Sequence, residues 1–238
     1  MSNALHDFVR HFNSVTDACV NFCCMSRGRE FQESSIDDIE KLLTEIALMK
    51  DKAIGLGDED LANLFLSLEE AAKAPQSELR MWISLKDDLP DEAWGHLVQA
   101  QLHAQFSMVA HDEGGHLEIY ANRLKKLEDV LFPGQSFNSI GYLVKKSRCT
   151  ICQLDYETCE HIKGKPYMGE FCVREILEGK LIEVSLVKNP ANRNCRVTAI
   201  SDSDGNMRNV MTWREVGKRA EREVTLELDE ATRNLDVE

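Results

Sequence analysis

The sequence predicts an α+β protein, with a helical-bundle N-terminal half followed by a small, zinc-stapled, β-containing half. Three observations predict it. Apolar residues recur at helical spacing through residues 1–133, and after Pro133 they shift to short alternating stretches. Four metal-ligating side chains, Cys149, Cys152, Cys159 and His161, then fall within thirteen residues of one another.

Leu5, Phe8, Val9, Phe12, Val15 and Val20 form an amphipathic stripe that predicts a first helix from about residue 3 to 25. Ser34 or Ser35 is placed to cap a second, with Asp37 and Asp38 in its first turn. Its apolar face is Ile36, Ile39, Leu42, Leu43, Ile46 and Met49, and Gly55 and Gly57 stop it. A third helix carries Leu61, Leu64, Phe65 and Leu68 and ends before Pro75. A short fourth holds Leu79, Trp82 and Leu85 and breaks at Asp87-Asp88-Leu89-Pro90. A fifth runs from about Asp91 to His111. Gly114-Gly115 interrupts the pattern, and a last helix carries Leu117, Tyr120, Leu124, Leu127, Val130 and Leu131. No fixed period recurs, so five or six helices form a bundle and not a solenoid.

In the second half, β-type stretches appear at Ser139–Lys145, Leu181–Val187, Arg196–Ser201 and about Val210–Trp213. Asp202-Ser203-Asp204-Gly205-Asn206 is a hairpin-turn signal. From about Lys218 the chain is charge-rich, and Val224, Leu226 and Leu228 alternate as in a strand. The expected division is therefore an acidic helical bundle over 1–133, a zinc-binding α+β domain over 134–217 and a charged tail over 218–238.

Charge is uneven between the halves. Residues 1–133 carry 12 basic and 24 acidic side chains, whereas residues 134–238 carry 16 and 17. An acidic half repels phosphate backbones, which disfavours general nucleic-acid binding there. Lys145, Lys146, Arg148, Lys163 and Lys165 make the metal segment locally basic without an aromatic-rich groove beside them. No apolar run is long enough to cross a bilayer. No apolar leader segment follows the first residues either, so a reducing cytoplasmic setting is expected, and there cysteines bind metal more readily than they pair.

Zinc takes a tetrahedron of thiolate and imidazole, and a Cys-x-x-Cys turn supplies two sulfurs from one bend. Cys159 and His161 supply a second pair. Four protein ligands leave no open position, so the site reads as structural. Cys172 lies eleven residues beyond His161 and can replace either member of the second pair, while Cys195 is a weaker substitute. Cys19, Cys23 and Cys24 lie on an apolar helical pattern and read as core residues. His96, His103 and His111 share one helical face, but a spacing of seven is about 10 Å along the axis, too far for one ion. They read as a polar face meeting solvent. Phosphate-loop, metalloprotease and nucleophile-elbow motifs are absent from the sequence.

Residues 183–192, Glu-Val-Ser-Leu-Val-Lys-Asn-Pro-Ala-Asn, together with Ser139-Ile140-Gly141-Tyr142, resemble two blocks of the phage prohead maturation proteases, which are serine proteases of capsid assembly. The resemblance covers about a quarter of the chain, and the Cys3His segment is inserted between its blocks. It implies a phage or prophage origin, Ser139 as nucleophile and Glu183 as the acidic member of a triad. No histidine stands in the matching context upstream of Ser139, and a serine without a base is a poor nucleophile. The leading expectation is a zinc-stabilised binding or assembly protein without catalytic activity, with a protein partner and homo-oligomers as natural outcomes. The alternatives are a divergent serine endopeptidase and a zinc-dependent nucleic-acid binder.

Overall fold

The computed structural model describes residues 3–218. Five α-helices come first: α1 (Asn3–Val20), α2 (Arg29–Leu56), α3 (Glu59–Lys86), α4 (Pro90–Ala110) and α5 (Glu118–Leu131). Small antiparallel sheets follow, so the α+β reading stands. The strands are β1 (Phe137–Cys149), β2 (Pro166–Tyr167), β3 (Glu170–Phe171), β4 (Arg174–Val187), β5 (Ala199–Ser201), β6 (Asn206–Asn209) and β7 (Glu215–Lys218). The alternation of Val224, Leu226 and Leu228 lies outside the described residues. The described residues divide into two compact units, with the boundary between Val197 and Thr198.

Within the first unit α3 is the central helix, in contact with both α2 and α4. Its buried residues include Phe65, Leu66, Ala72, Leu79, Met81 and Trp82, spread around much of its circumference. Two helical expectations need correction. Pro75 does not end the third helix; it sits inside α3, which runs unbroken to Lys86. An internal proline costs roughly 3 kcal/mol in an exposed helix. Here Ala72, Ala74 and Leu79, all fully buried around it, make continuity the better solution because a break would uncover that face. The second helix also starts earlier than Ser34. Its N-cap is Gly28, and Gln32 in its first turn donates through Nε2 to the carbonyls of Phe22 (2.9 Å) and Cys24 (3.0 Å). Ser35 bonds back to the Phe31 carbonyl from inside the helix instead of capping it. Gly57 does close α2, in the left-handed conformation at φ 71°.

One buried polar cluster ties α3 to α5. The Glu78 side chain is fully buried and accepts from Tyr120 Oη (2.7 Å), Trp82 Nε1 (3.2 Å) and the Arg123 guanidinium. Buried carboxylates persist only when so many donors replace water. Cys19 and Cys23 are buried beside this region as small core thiols, and burial pushes both up from their ordinary values, Cys19 to about 11. His103 and His111 face the bundle instead of open solvent: His103 meets Glu70 at 2.6 Å, and the His111 ring accepts from the Glu113 amide.

β1 and β4 pair as one long antiparallel ribbon, Phe137 opposite Val187 through Cys149 opposite Arg174, with three register irregularities. Opposed residues share a face. Ile140 with Val184, Tyr142 with Leu181, and Leu186 therefore form an apolar face, and Ile140, Val184 and Leu186 are more than half exposed. Gly179 belongs in this ribbon because the Tyr142 ring lies where its Cβ would be, 2.3 Å away. The ribbon base is anchored to the helices. Trp94 of α4 packs against Phe132 and Phe137, with Arg193 stacked 5.1 Å above its ring. Arg193 also reaches Gln101 and Glu128 at 2.5 Å each, and Arg196 pairs with Asp91.

In the second unit β5, β6 and β7 form a three-stranded antiparallel sheet. The 202–206 turn joins β5 to β6 as its residues dictate. Asp202 accepts from the amides of Asp204 (3.0 Å) and Asn206 (2.8 Å) and from Arg208 Nε (2.8 Å). Residues 210–213, expected as a strand, are a turn. Asn209 Oδ1 accepts from the amides of Met211 and Thr212, both at 2.9 Å, and Trp213 adopts φ 60°.

Candidate metal centre

Cys149 ends β1, and the chain turns at once. The Gln153 amide bonds back to the Cys149 carbonyl at 3.0 Å, and Gln153 itself adopts φ 62°. This tight turn brings Cys152 back beside Cys149, the geometry a Cys-x-x-Cys metal knuckle needs. A short helical turn at Tyr156–Thr158, started by the Asp155 carboxylate accepting from the Glu157 amide, carries the chain to Cys159. The next segment is held by two tyrosines. The Ile162 amide donates to Tyr167 Oη and the Lys163 amide to Tyr156 Oη, each at 3.0 Å. His161 packs edge-on against the Tyr167 ring, 4.6 Å between centroids. The β2–β3 hairpin then turns at Met168-Gly169, both with positive φ, and Cys172 leads into β4.

The result is a cluster. One donor atom from each of Cys149, Cys152, Cys159 and His161 lies within 4.8 Å of all the others, so the group could hold a metal ion. Two observations mark it as more than a chance gathering. His161 Nδ1 is buried and has no hydrogen-bond partner, a costly state for an imidazole nitrogen unless something is to fill it. Cys149 is fully buried, which pushes its thiol up. The amides of Cys152 and Ile151 and the neighbouring thiols outweigh that and bring it down to about 6. Amides pointed at a sulfur stabilise the thiolate, the form that binds metal. Burial and the Cys149 thiol hold Cys172 up at about 11.

No protein-family model, curated protein or solved structure matches the chain. The site therefore rests on its own geometry.

Around the cluster the basic rim is partly engaged. Arg148 pairs with Glu175 at 2.6 Å, Lys145 with Glu178 at 3.4 Å, and Arg174 with Glu157 while lying over the Tyr156 ring. The segment docks on the helices through the Gly169 amide on Asn63 Oδ1 (2.8 Å) and Phe171 against Phe106. Tyr156 and Tyr167 escaped the sequence reading. Their signal was an aromatic on either side of a short, ligand-rich loop, where a phenol can satisfy backbone amides that no strand reaches.

Ser139 and Glu183 lie on the two strands of the ribbon, Ser139 opposite Ser185 and Glu183 opposite Gly141, so both belong to the more polar face. Ser185 Oγ donates to Glu183 Oε1 at 3.4 Å. The histidines meet other groups: His11 pairs with Glu45, His103 with Glu70, His111 with Asp60 and His116 with the Glu113 carbonyl. Among the described residues, no histidine hydrogen-bonds Ser139.

Proposed function

We propose that this chain is a zinc-stabilised binding or assembly protein, with one zinc ion held where Cys149, Cys152, Cys159 and His161 converge. The observation that carries the reading is the convergence of four donors, one of them an imidazole whose buried Nδ1 lacks a partner. Zinc is favoured over harder cations because every donor is sulfur or nitrogen. A site closed by protein ligands supplies no activated water, so its role is to fix the 149–173 segment against the bundle.

Binding is the supported consequence because the β1–β4 ribbon presents an apolar face that its own helices leave exposed. A two-stranded ribbon with such a face gains from a partner's surface. Prohead-type proteolysis through Ser139 and Glu183 is the weaker reading, since it needs a base and, among the described residues, no histidine hydrogen-bonds Ser139. The test is limited proteolysis of the full chain with and without chelator. Chelation should open the 149–173 segment to cleavage, and zinc but not magnesium should restore protection. Equal resistance in both states overturns the proposal.

A further inference from the structure

A fifth donor stands beside the cluster. Besides the four residues above, Cys172 Sγ lies 3.7 Å from Cys149 Sγ, and both residues are buried. A zinc–sulfur bond of about 2.3 Å in a regular tetrahedron sets the sulfur–sulfur edge at about 3.8 Å. The separation therefore fits two thiolates on one ion, and it is far too long for a disulfide. The position of Cys172 is fixed by backbone on both sides. Its amide donates to the Lys165 carbonyl (2.9 Å), and its carbonyl accepts from the Gly164 amide (2.8 Å). The next residue offers its carbonyl to the Thr150 amide in the Cys-x-x-Cys turn (3.1 Å). Residue 172 is thus bonded to the loop of the second ligand pair and adjoins the turn of the first.

Resting on the zinc reading above, the geometry points to a four-sulfur site in which Cys149, Cys152, Cys159 and Cys172 bind the metal and His161 donates a hydrogen bond to one of their sulfurs. Zinc takes four ligands here, so five donors cannot all bind. The buried Nδ1 has no hydrogen-bond partner; once the sulfurs hold an ion, an imidazole protonated at Nδ1 would satisfy it by donating to a thiolate, without a metal bond. Its edge-on packing on Tyr167 sets the ring plane for that role. Charge agrees with the assignment. Four thiolates on Zn2+ leave a net −2, against −1 for three thiolates and an imidazole, and Lys146, Lys163 and Lys165 stand in the same segment. His161 is then a positioning residue for the sulfurs, not a ligand.

X-ray absorption on the intact zinc protein tests this without any variant. Four sulfurs at about 2.3 Å are expected, whereas three sulfurs with one nitrogen at about 2.0–2.1 Å overturn the assignment. Cobalt substitution gives the second readout, because thiolate-to-cobalt charge transfer scales with the number of bound sulfurs. Cys172→Ser should keep about three quarters of that intensity, while His161→Gln keeps all of it and binds cobalt roughly 10–100-fold more weakly. A wild-type band that survives Cys172→Ser intact and shifts in His161→Gln overturns the inference and leaves the zinc reading standing. Protein that binds neither metal overturns both.

Discussion

Replacing Cys152 by serine removes one thiolate from the cluster and should separate two parts of the molecule that differ in what holds them. The 149–173 segment has two-residue strands and little apolar burial of its own, so without metal it should open. The helices should survive. Among the described residues, the hydrogen bonds and ring contact that join them to that segment are the Phe106–Phe171 pair, with centroids 5.3 Å apart, the Gly169 amide on Asn63 at 2.8 Å, and a longer bond from the Met168 amide to Glu59 at 3.3 Å. An aromatic pair contributes about 0.5–1.5 kcal/mol beyond area, and a net hydrogen bond a similar amount. The exposed Met168 bond adds little, so the bundle should lose about 1–3 kcal/mol. Urea unfolding followed at 222 nm should show a midpoint lowered by on the order of 1 M with its cooperativity kept. Hydrogen exchange in 149–173 should rise to the rate of an open chain. Unchanged exchange in 149–173, or a bundle that no longer melts cooperatively, would refute the reasoning.

Other perturbations address the bundle. Arg123→Met leaves the fully buried Glu78 carboxylate without its cation and should cost about 3 kcal/mol, the low end for a broken buried pair because Arg123 is 38% exposed. A chemical melt in which it costs under about 1 kcal/mol would contradict the account of that cluster. Burial, helped by Arg80, holds His96 below its ordinary 6.5. Its contribution is therefore complete above pH 6.5 and is lost as the pH falls through the folded value, because the unfolded chain takes up the proton first. His96→Leu should flatten stability against pH just below 6.5, and an unaltered slope would exclude this histidine as the cause. A fragment ending at Pro133 should stay strongly helical by circular dichroism yet melt earlier than the full chain. It loses Phe137 from Trp94 and Arg193 from Glu128. A disordered fragment would mean that the helices have no core of their own.

The four donors could be read from the sequence because a Cys-x-x-Cys turn and a nearby Cys-x-His pair constrain one another over a short loop, whatever the rest of the chain does. Helix identity was equally accessible from apolar spacing. Helix ends were less so. Pro75 looks like a terminator until Ala72, Ala74 and Leu79 are seen buried around it, a tertiary fact that local propensity does not contain. The start of α2 depends on Gln32 bonding two carbonyls of the preceding loop, which no spacing rule anticipates. Both long strands were read short because Lys145, Lys146 and Arg148 in one, and the bulges near Ile182 and Leu177 in the other, interrupt the alternation. Cys172 was visible as a substitute ligand, but its 3.7 Å approach to Cys149 required the β4 register.

The proposed zinc ion would be an integral part of the folded protein. Elemental analysis of chain purified without a polyhistidine tag, set against protein concentration, tests it most directly. Close to one zinc per chain is expected, retained through dialysis and lost only under strong chelation or acid. Metal-free protein of undiminished stability would contradict it.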